Sequence, residues 1–232
     1  MSSRRTEILK ELRLAPFWSE RKKKLTSKIV KLSNLSITKG DERKFQILKS
    51  DWTELEEEVT TCASCSLFQR HTRTSLRTGD KGVNWLYISS MPDVEEGIQG
   101  EPCIIGPTGQ LLDNVLRAIS LEQNYNVYIA DIVKSKSSSY KKLNYSAFLQ
   151  CESFLIRQIE LIQPKIIIAL GKFIAQSLLN TTMSFDSLRG KLHIYSGIPL
   201  VVTYHPSYLL EMQYDKKKVW EDLCFAKNII QN

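Results

Sequence analysis

Two kinds of hydrophobic pattern alternate along most of this chain. Short, nearly continuous apolar runs, typical of strands buried on both faces, occur at 86–88, 127–130, 165–170 and 199–203. Each run is followed by a longer segment with its apolar residues on one helical face, at 109–120, 146–162, 172–179 and 216–230. The alternation predicts an α/β fold, a three-layer sandwich with a central, mainly parallel four-stranded sheet. Function is then expected at the carboxyl ends of the strands.

The first predicted strand leads into a long loop before its helix. Residues 89–108 are rich in glycine, proline and acidic side chains, and they show neither strand nor helix periodicity. The following helix presents its N-terminus to this loop, which suits an anionic or carbonyl-bearing ligand. Two interpretations are open: a ligand-binding loop, or an ordinary surface excursion.

The chain before residue 51 has a different character. Residues 1–25 contain a short amphipathic unit that must end before Pro16, with Trp18 shortly after it. This segment is predicted to be a partner-binding peptide, the alternative being that it folds back onto the body. Residues 26–50 are predicted to form a basic tether, and residues 51–232 the folded domain.

The folded domain is predicted to begin with a capped helix. Asp51 stands at the N-cap position and Glu54 lies three residues later, which is the pattern of a capping box. The helix runs through Val59 and leads to Cys62 and Cys65. Paired cysteines at this spacing indicate metal chemistry first and ordinary packing second.

The composition bounds the class of protein. An apolar content of 42% is enough for a sizeable core. No apolar run approaches the roughly 20 residues that span a bilayer, and the basic N-terminal segment lacks the apolar stretch of a secretory signal. We therefore expect a cytoplasmic protein with no membrane partner, in which the five cysteines do not form a disulfide framework.

The net charge of +7 is distributed unevenly. Residues 1–50 hold 14 Lys and Arg against 5 Asp and Glu, a balance of +9, which leaves −2 for the rest of the chain. Proteins that grip duplex DNA usually concentrate basic residues on the folded body. The charge therefore predicts weak or indirect contact between the body and DNA.

Several motifs occur in one order along the second part of the chain. They are CASC from Cys62, GEPCIIGPTGQLLD from Gly100, VYIADIVKS from Val127, the segment from Gln150 to Lys172, LRG from Leu188, and TYHPSYLL from Thr203. Together they resemble the family-4 uracil-DNA glycosylases, over roughly residues 50 to 230. The resemblance implies a uracil-DNA glycosylase-like fold, an iron–sulfur cluster and the excision of a flipped base.

The pocket positions that the resemblance implies depart from the family pattern. They are occupied by Ser90, Glu96, Cys103, Asp131 and His205. Ser90 replaces a carboxylate that activates water, Cys103 replaces a stacking phenylalanine, and Asp131 replaces a base-reading asparagine. His205 keeps the family's residue type but has lost its partners, which favours a structural role. The pocket is therefore predicted to be degenerate and to reject uracil.

The resemblance also implies a set of cluster ligands. They map to Cys62, Cys65, Ser135 and Cys151, so three of the four positions keep a cysteine. Iron–sulfur clusters strongly prefer four thiolates. Two interpretations are open: a lost site whose thiols are buried filler, or a retained but labile [4Fe–4S] cluster.

A second resemblance concerns the N-terminal peptide. It looks like the peptide of the psi subunit of the bacterial DNA polymerase III clamp loader, through Arg4, Arg5, Leu9, Leu12, Leu14, Phe17, Trp18 and Arg21. This resemblance implies that the peptide binds the gamma/tau-type collar and that the body binds a chi-type subunit. Our leading hypothesis is therefore a non-catalytic, psi-like clamp-loader accessory subunit. The alternative is an active DNA glycosylase of the family-4 type acting in base-excision repair.

Overall fold

The computed structural model describes residues 39–62, 82–90, 106–123, 125–134 and 145–231, within a compact unit at Thr38–Asn232. The strands are β1 Trp85–Ser89, β2 Val127–Asp131, β3 Ile166–Leu170, β4 His193–Tyr195 and β5 Ile198–Thr203. The helices are α1 Lys39–Ile47, α2 Trp52–Thr60, α3 Gly106–Ala118, α4 Tyr145–Ile162, α5 Lys172–Leu178, α6 Phe185–Leu188, α7 Pro206–Glu211 and α8 Lys216–Gln231, with a 3₁₀ turn at Gln213–Asp215. None of the helices in these ranges is long and apolar enough to cross a membrane.

The strands form one sheet in the order β2-β1-β3-β5-β4. β2, β1, β3 and β5 are parallel, and their register aligns Ser89 with Asp131 at the ends of β1 and β2. Each of these four strands is followed along the chain by a helix, and helices cover both faces of the sheet, as parallel sheets require. The predicted α/β fold with a mainly parallel sheet is confirmed.

The sheet has five strands where the sequence analysis predicted four. The additional strand, β4, is antiparallel to β5 and joins it through a tight hairpin at Ser196 and Gly197. Both residues have positive φ, 48° and 81°, as the two central residues of a type I′ hairpin turn require. β4 has only three residues, all at least partly exposed, and therefore carries too little hydrophobic pattern to be recognised as a strand.

Alternation along β1 and β2 divides the core into two layers. Leu86, Ile88, Tyr128 and Ala130 face one side, where they pack with residues of α4 and α5. The residues between them face the other side, where they pack with residues of α3, α7 and α8. The period-two alternation continues to the strand ends, so the side chains of Ser89 and Asp131 share the second face.

The helix at Trp52–Thr60 begins as predicted. The Asp51 side chain accepts from the Glu54 backbone N–H and the Glu54 side chain accepts from the Asp51 N–H, each at 2.9 Å. The capping box is confirmed. Within the segment predicted as a tether, α1 forms a helix, and Ile47 is buried with Leu55, Val59 and Phe154. The folded part therefore begins before residue 51.

Helix α3 starts earlier than its apolar stripe indicates. The stripe predicted a start at Thr108 and Gly109, but the helix begins at Gly106 with Pro107 in its first turn. Proline fits there because the first-turn amide has no partner within the helix, and Gly106 supplies the positive φ of 64° before it. The segment between β1 and α3 is therefore shorter than predicted.

Candidate active site

The ends of β1 and β2 place two polar side chains beside each other. Ser89 and Asp131 are paired in the parallel register, and both are buried, each with 2% of its surface exposed. Paired residues of neighbouring parallel strands lie about 5 Å apart and point to the same face. The sheet therefore presents a hydroxyl and a carboxyl group at its carboxyl edge, on the side of α3 and α7.

His205 completes this group from the segment after β5. Its Nε2 lies 3.3 Å from the Ser89 Oγ, which joins the ends of β1 and β5 across the sheet. Its Nδ1 accepts a hydrogen bond from the Ser207 backbone N–H at 3.2 Å and lies 2.7 Å from the Ser207 Oγ. Because Nδ1 is an acceptor here, the ring proton lies on Nε2. His205 thus directs an N–H donor towards the Ser89 hydroxyl.

The local sequence explains why His205 is held in this position. It is the N-cap of α7, in extended conformation, and Pro206 at the first helical position fixes the backbone after it. Gly171, at the end of β3, adopts a φ of 94°, and a Cβ on it would lie 3.5 Å from the Cβ of His205. That distance is an ordinary contact, so the positive φ of the turn, and not crowding, is what favours glycine here.

An ion pair stabilises the end of β5, the strand that precedes His205. Arg189 donates to both carboxylate oxygens of Asp222, at 2.9 and 3.0 Å, and also to the Lys218 carbonyl at 3.0 Å. Its guanidinium lies 4.8 Å from the centre of the Tyr204 ring. Asp222 also accepts from Thr203 Oγ1 at 2.8 Å. Burial raises the pKa of Asp222, while the bonds from Thr203 and Arg189 oppose that rise. The network fixes the end of β5 against α8.

A buried lysine lies directly behind Asp131. Lys134 is 3% exposed, and its Nζ donates to the Asp131 carbonyl at 2.7 Å and to Gln158 Oε1. Gln158 in turn donates to the Tyr128 hydroxyl at 3.2 Å. The network connects the end of β2 to α4, and its ammonium group supplies a positive charge next to residue 131.

Two of the four predicted cluster ligands lie within the described residues. Cys62 packs against the cluster of Ile47, Leu55, Val59 and Phe154, and Cys151 is buried one helical turn before Phe154 on α4. Both thiols therefore lie near the same stretch of α4. In the described part of the chain no group of three or more His, Cys, Asp or Glu side chains could hold a metal ion. Cys62 and Cys151 are thiols, the donors that iron–sulfur clusters prefer.

The remaining predicted site residues lie partly inside and partly outside the described ranges. Ser90 is half-buried just after β1, and its carbonyl accepts from the Val133 N–H at 3.1 Å. The predicted positions outside the described residues are Glu96, Cys103, Cys65, Ser135 and the whole peptide at 1–25. Of the predicted pocket residues, the structure thus brings Asp131 and His205 to one edge of the sheet, with Ser90 adjoining them.

Three residues that stabilise this edge are absent from the sequence-based predictions. Ser89 is not among the predicted pocket residues, although its place at the end of a buried strand indicates one. Lys134 follows a strand and carries no apolar pattern, so its burial was not predicted. Arg189 belongs to the quoted LRG motif, but its pairing with Asp222 joins residues 33 apart in sequence and leaves no local pattern.

Comparison with known proteins gives the same superfamily. Residues 76–224 match the family model for the uracil DNA glycosylase superfamily. A type-4 uracil-DNA glycosylase of Archaeoglobus fulgidus is 28% identical over 191 residues, which cover 75% of this chain and 94% of that protein. A type-4 uracil-DNA glycosylase of Thermotoga maritima is 29% identical over 181 residues, which cover 76% of this chain and 93% of that protein.

These findings overturn the leading hypothesis of a clamp-loader accessory subunit, which is wrong. The curated relatives named above, aligned along three quarters of the chain, are glycosylases, and they remove the support for a non-catalytic protein. The psi-like resemblance depended on a peptide outside the described residues. Fold, strand-end geometry and family match agree, and the chain therefore belongs to the uracil-DNA glycosylase superfamily.

Proposed function

We propose that this protein is an active DNA glycosylase of the family-4 type, which hydrolyses the bond between a base and its sugar in base-excision repair. The observation that carries the proposal is the meeting of Ser89, Asp131 and His205 at the carboxyl edge of the parallel sheet. The type-4 uracil-DNA glycosylases that align with most of the chain support it.

His205 is the residue that stabilises the leaving base. Negative charge develops on the base as its bond to the sugar breaks, and an N–H donor directed at that charge lowers the barrier. The Nε2 proton of His205 is available for this task because Nδ1 already accepts from the Ser207 backbone. Ser89 Oγ is its partner in the resting protein, and the base replaces Ser89 as the acceptor.

The attack of water needs less assistance than the departure of the base. A transition state with a cationic sugar is strongly electrophilic, as in other glycoside hydrolyses. Ser90 cannot remove a proton from water at neutral pH, but its hydroxyl can hold a water molecule by a hydrogen bond. Among the described residues, His205 therefore contributes most to the rate of base release.

The surface that follows His205 is suited to DNA. Tyr214 is 98% exposed in the 3₁₀ turn after α7, and Lys216–Lys218 follow it as exposed residues at the start of α8. Lysines contact phosphates, and exposed aromatic rings can stack on bases. These residues follow His205 closely in sequence. DNA bound at this surface would therefore place a flipped base near the strand ends. We therefore propose direct contact between this surface and DNA, where the net charge predicted weak or indirect contact.

The proposal includes an iron–sulfur cluster held by Cys62, Cys65 and Cys151, with Ser135 at the fourth position. The neighbouring placement of Cys62 and Cys151 around Phe154 supports it. When bound, such a cluster supplies cross-links between the chain segments that carry its ligands. Binding of DNA and departure of the base are carried by the protein's own side chains.

The test is an excision assay with the full-length protein. Oligonucleotides that each contain one uracil or one damaged base are incubated with enzyme, treated with alkali and analysed for strand nicking. Because His205 supplies the donor, His205→Ala is expected to lower the rate by about 100-fold or more. His193→Ala is the matched control, since His193 bonds the Leu188 carbonyl at 2.8 Å on the edge strand.

Two results would contradict the proposed function. The first is the absence of nicking above a mock preparation for every base in the set. The second is nicking that His205→Ala and His193→Ala reduce equally, because the histidine at the strand ends would then have no special role.

A further inference from the structure

We propose that the carboxylate of Asp131 selects the base, and that it favours a guanine-type edge over uracil. The inference rests on the proposed glycosylase function and names the substrate class of the same site. A guanine-type edge is one in which a ring N–H lies beside an exocyclic amino group. A damaged guanine that keeps its N1–H and its 2-amino group is a base of this class.

The first step is the location of Asp131. It is the last residue of β2, it is 2% exposed, and its register partner is Ser89, whose hydroxyl lies 3.3 Å from His205 Nε2. The alternation of β1 and β2 places both side chains on the face of α3 and α7. A base in contact with His205 therefore lies within reach of the Asp131 side chain.

The charge of Lys134 affects the ionisation of Asp131. Lys134 is buried and donates to the Asp131 carbonyl at 2.7 Å, so an ammonium group lies beside this residue. The same ammonium group also donates to Gln158 Oε1. A positive charge beside residue 131 favours the ionised form of its carboxyl group.

The third step is hydrogen-bond complementarity. An ionised carboxylate has two acceptors and no donor. Two parallel N–H groups match it, as the guanidinium fork of arginine does, and the guanine edge presents the same pair of neighbouring donors. Uracil instead presents one N–H between two carbonyl oxygens, so the second carboxylate oxygen would face an oxygen. Opposed acceptors in a buried site are strongly disfavoured.

The final step is the comparison with the amide of the same shape. Asparagine has one donor and one acceptor, which is the complement of the N–H and neighbouring carbonyl of uracil. Asp131→Asn changes one oxygen into an NH₂ group and little else. The substitution should therefore exchange the preferred base without removing His205 from the site.

The experiment measures single-turnover base release by the full-length protein and by Asp131→Asn. The substrates are oligonucleotides with one 8-oxoguanine or one uracil, in single strands and in duplexes. The wild type should release 8-oxoguanine faster than uracil, and Asp131→Asn should shift the ratio towards uracil by about tenfold or more, because sites that use hydrogen bonds reject mismatched edges strongly. Asp186→Asn, an exposed aspartate on α6, is the matched control and should leave the ratio unchanged.

A second measurement needs no variant. Free guanine should raise the melting temperature of the wild-type protein more than free uracil at the same concentration, since at equal concentration the ligand with the lower Kd stabilises the native state more. Equal shifts, or a larger shift with uracil, would count against Asp131 as the selecting group.

The outcomes separate this inference from the proposed function. Wild-type preference for uracil with an unchanged ratio in Asp131→Asn overturns the inference and leaves the glycosylase function standing. Equal loss of both activities in Asp131→Asn also overturns it, because the carboxylate would then act on the sugar or on water. If neither protein releases either base, while His205→Ala is equally inactive, the glycosylase function itself fails and the inference with it.

Discussion

Arg189 offers the most quantitative test of how the site is held. Its guanidinium bonds both oxygens of Asp222 and covers the Tyr204 ring, with the two charged side chains 13% and 2% exposed. Removing one partner of a buried ion pair costs about 3–5 kcal/mol, because the other charge stays buried and uncompensated. Thr203 still donates to Asp222, so we expect Arg189→Ala to lower the free energy of unfolding by about 3 kcal/mol, the lower end of that range.

The penalty should depend on pH with a defined sign. Burial already raises the pKa of Asp222, and loss of Arg189 removes two contributions that lower it. A carboxyl group whose pKa is higher in the folded protein binds more protons there than in the unfolded chain. Stability is therefore lost as pH rises from the ordinary aspartate value through the raised folded pKa. The penalty of Arg189→Ala should be larger at pH 7 than at pH 4.

Urea unfolding followed by circular dichroism measures both effects. Lys217→Ala is the control, because Lys217 and Glu221 form an exposed pair at 3.8 Å and should contribute less than about 0.5 kcal/mol. In an Asp222→Asn background, Arg189→Ala should lower the free energy of unfolding by less than it does in the wild type. A penalty for Arg189→Ala below about 1 kcal/mol, or one independent of pH between 4 and 7, would refute the reasoning.

Three further outcomes are expected. Tyr87→Phe should raise the free energy of unfolding by about 1 kcal/mol in thermal or urea melts, because the buried hydroxyl has no hydrogen-bond partner in the described part of the chain and burial raises its pKa; a loss of stability would show that it has one. Replacing Lys216–Lys218 by alanine should weaken DNA binding and flatten its salt dependence in fluorescence anisotropy, whereas Lys165→Ala, at the opposite end of the strands, should do neither. Ser135→Cys should raise the iron content of anaerobically purified protein, and a full, air-stable cluster in the wild type would contradict the assignment of Ser135 as a poor ligand.

Much of the fold could be predicted because its parallel strands are buried on both faces. Runs such as Ile166–Leu170 are apolar at every position, and the helices between them show a single apolar stripe. The capping box at Asp51 is equally local, since donor and acceptor are three residues apart. β4 was missed because three half-exposed residues at a sheet edge carry no pattern, although Ser196 and Gly197 mark a hairpin turn.

The sequence predicted where the candidate site lies better than it predicted what the site does. Asp131 and His205 could be named because each follows a strand in a recognisable motif. Their relation to Ser89 could not, because it depends on the register of β1 and β2 and on the turn at Pro206. Counting missing family residues favoured a pocket without activity. The geometry shows that a donor and a carboxyl group still meet at the strand ends.

The functional error came from weighting a short peptide above the folded domain. A match of some eighteen residues contains few independent positions, whereas the superfamily match covers residues 76–224. The total charge predicted weak or indirect contact with DNA, and that expectation stays a prediction. The exposed lysines Lys216–Lys218 lie next to the site, and a local surface of this kind is not visible in a total for the whole body.

The most direct test of the account is to detect the products of the reaction itself. Oligonucleotides with a single 8-oxoguanine or uracil are incubated with the full-length protein, and mass spectrometry identifies the free base and the strand with an intact backbone and an abasic sugar. The account predicts both products with the wild type, and about 100-fold less with His205→Ala. Intact oligonucleotides after prolonged incubation with a folded, DNA-binding protein would contradict the central claim that this chain is a DNA glycosylase.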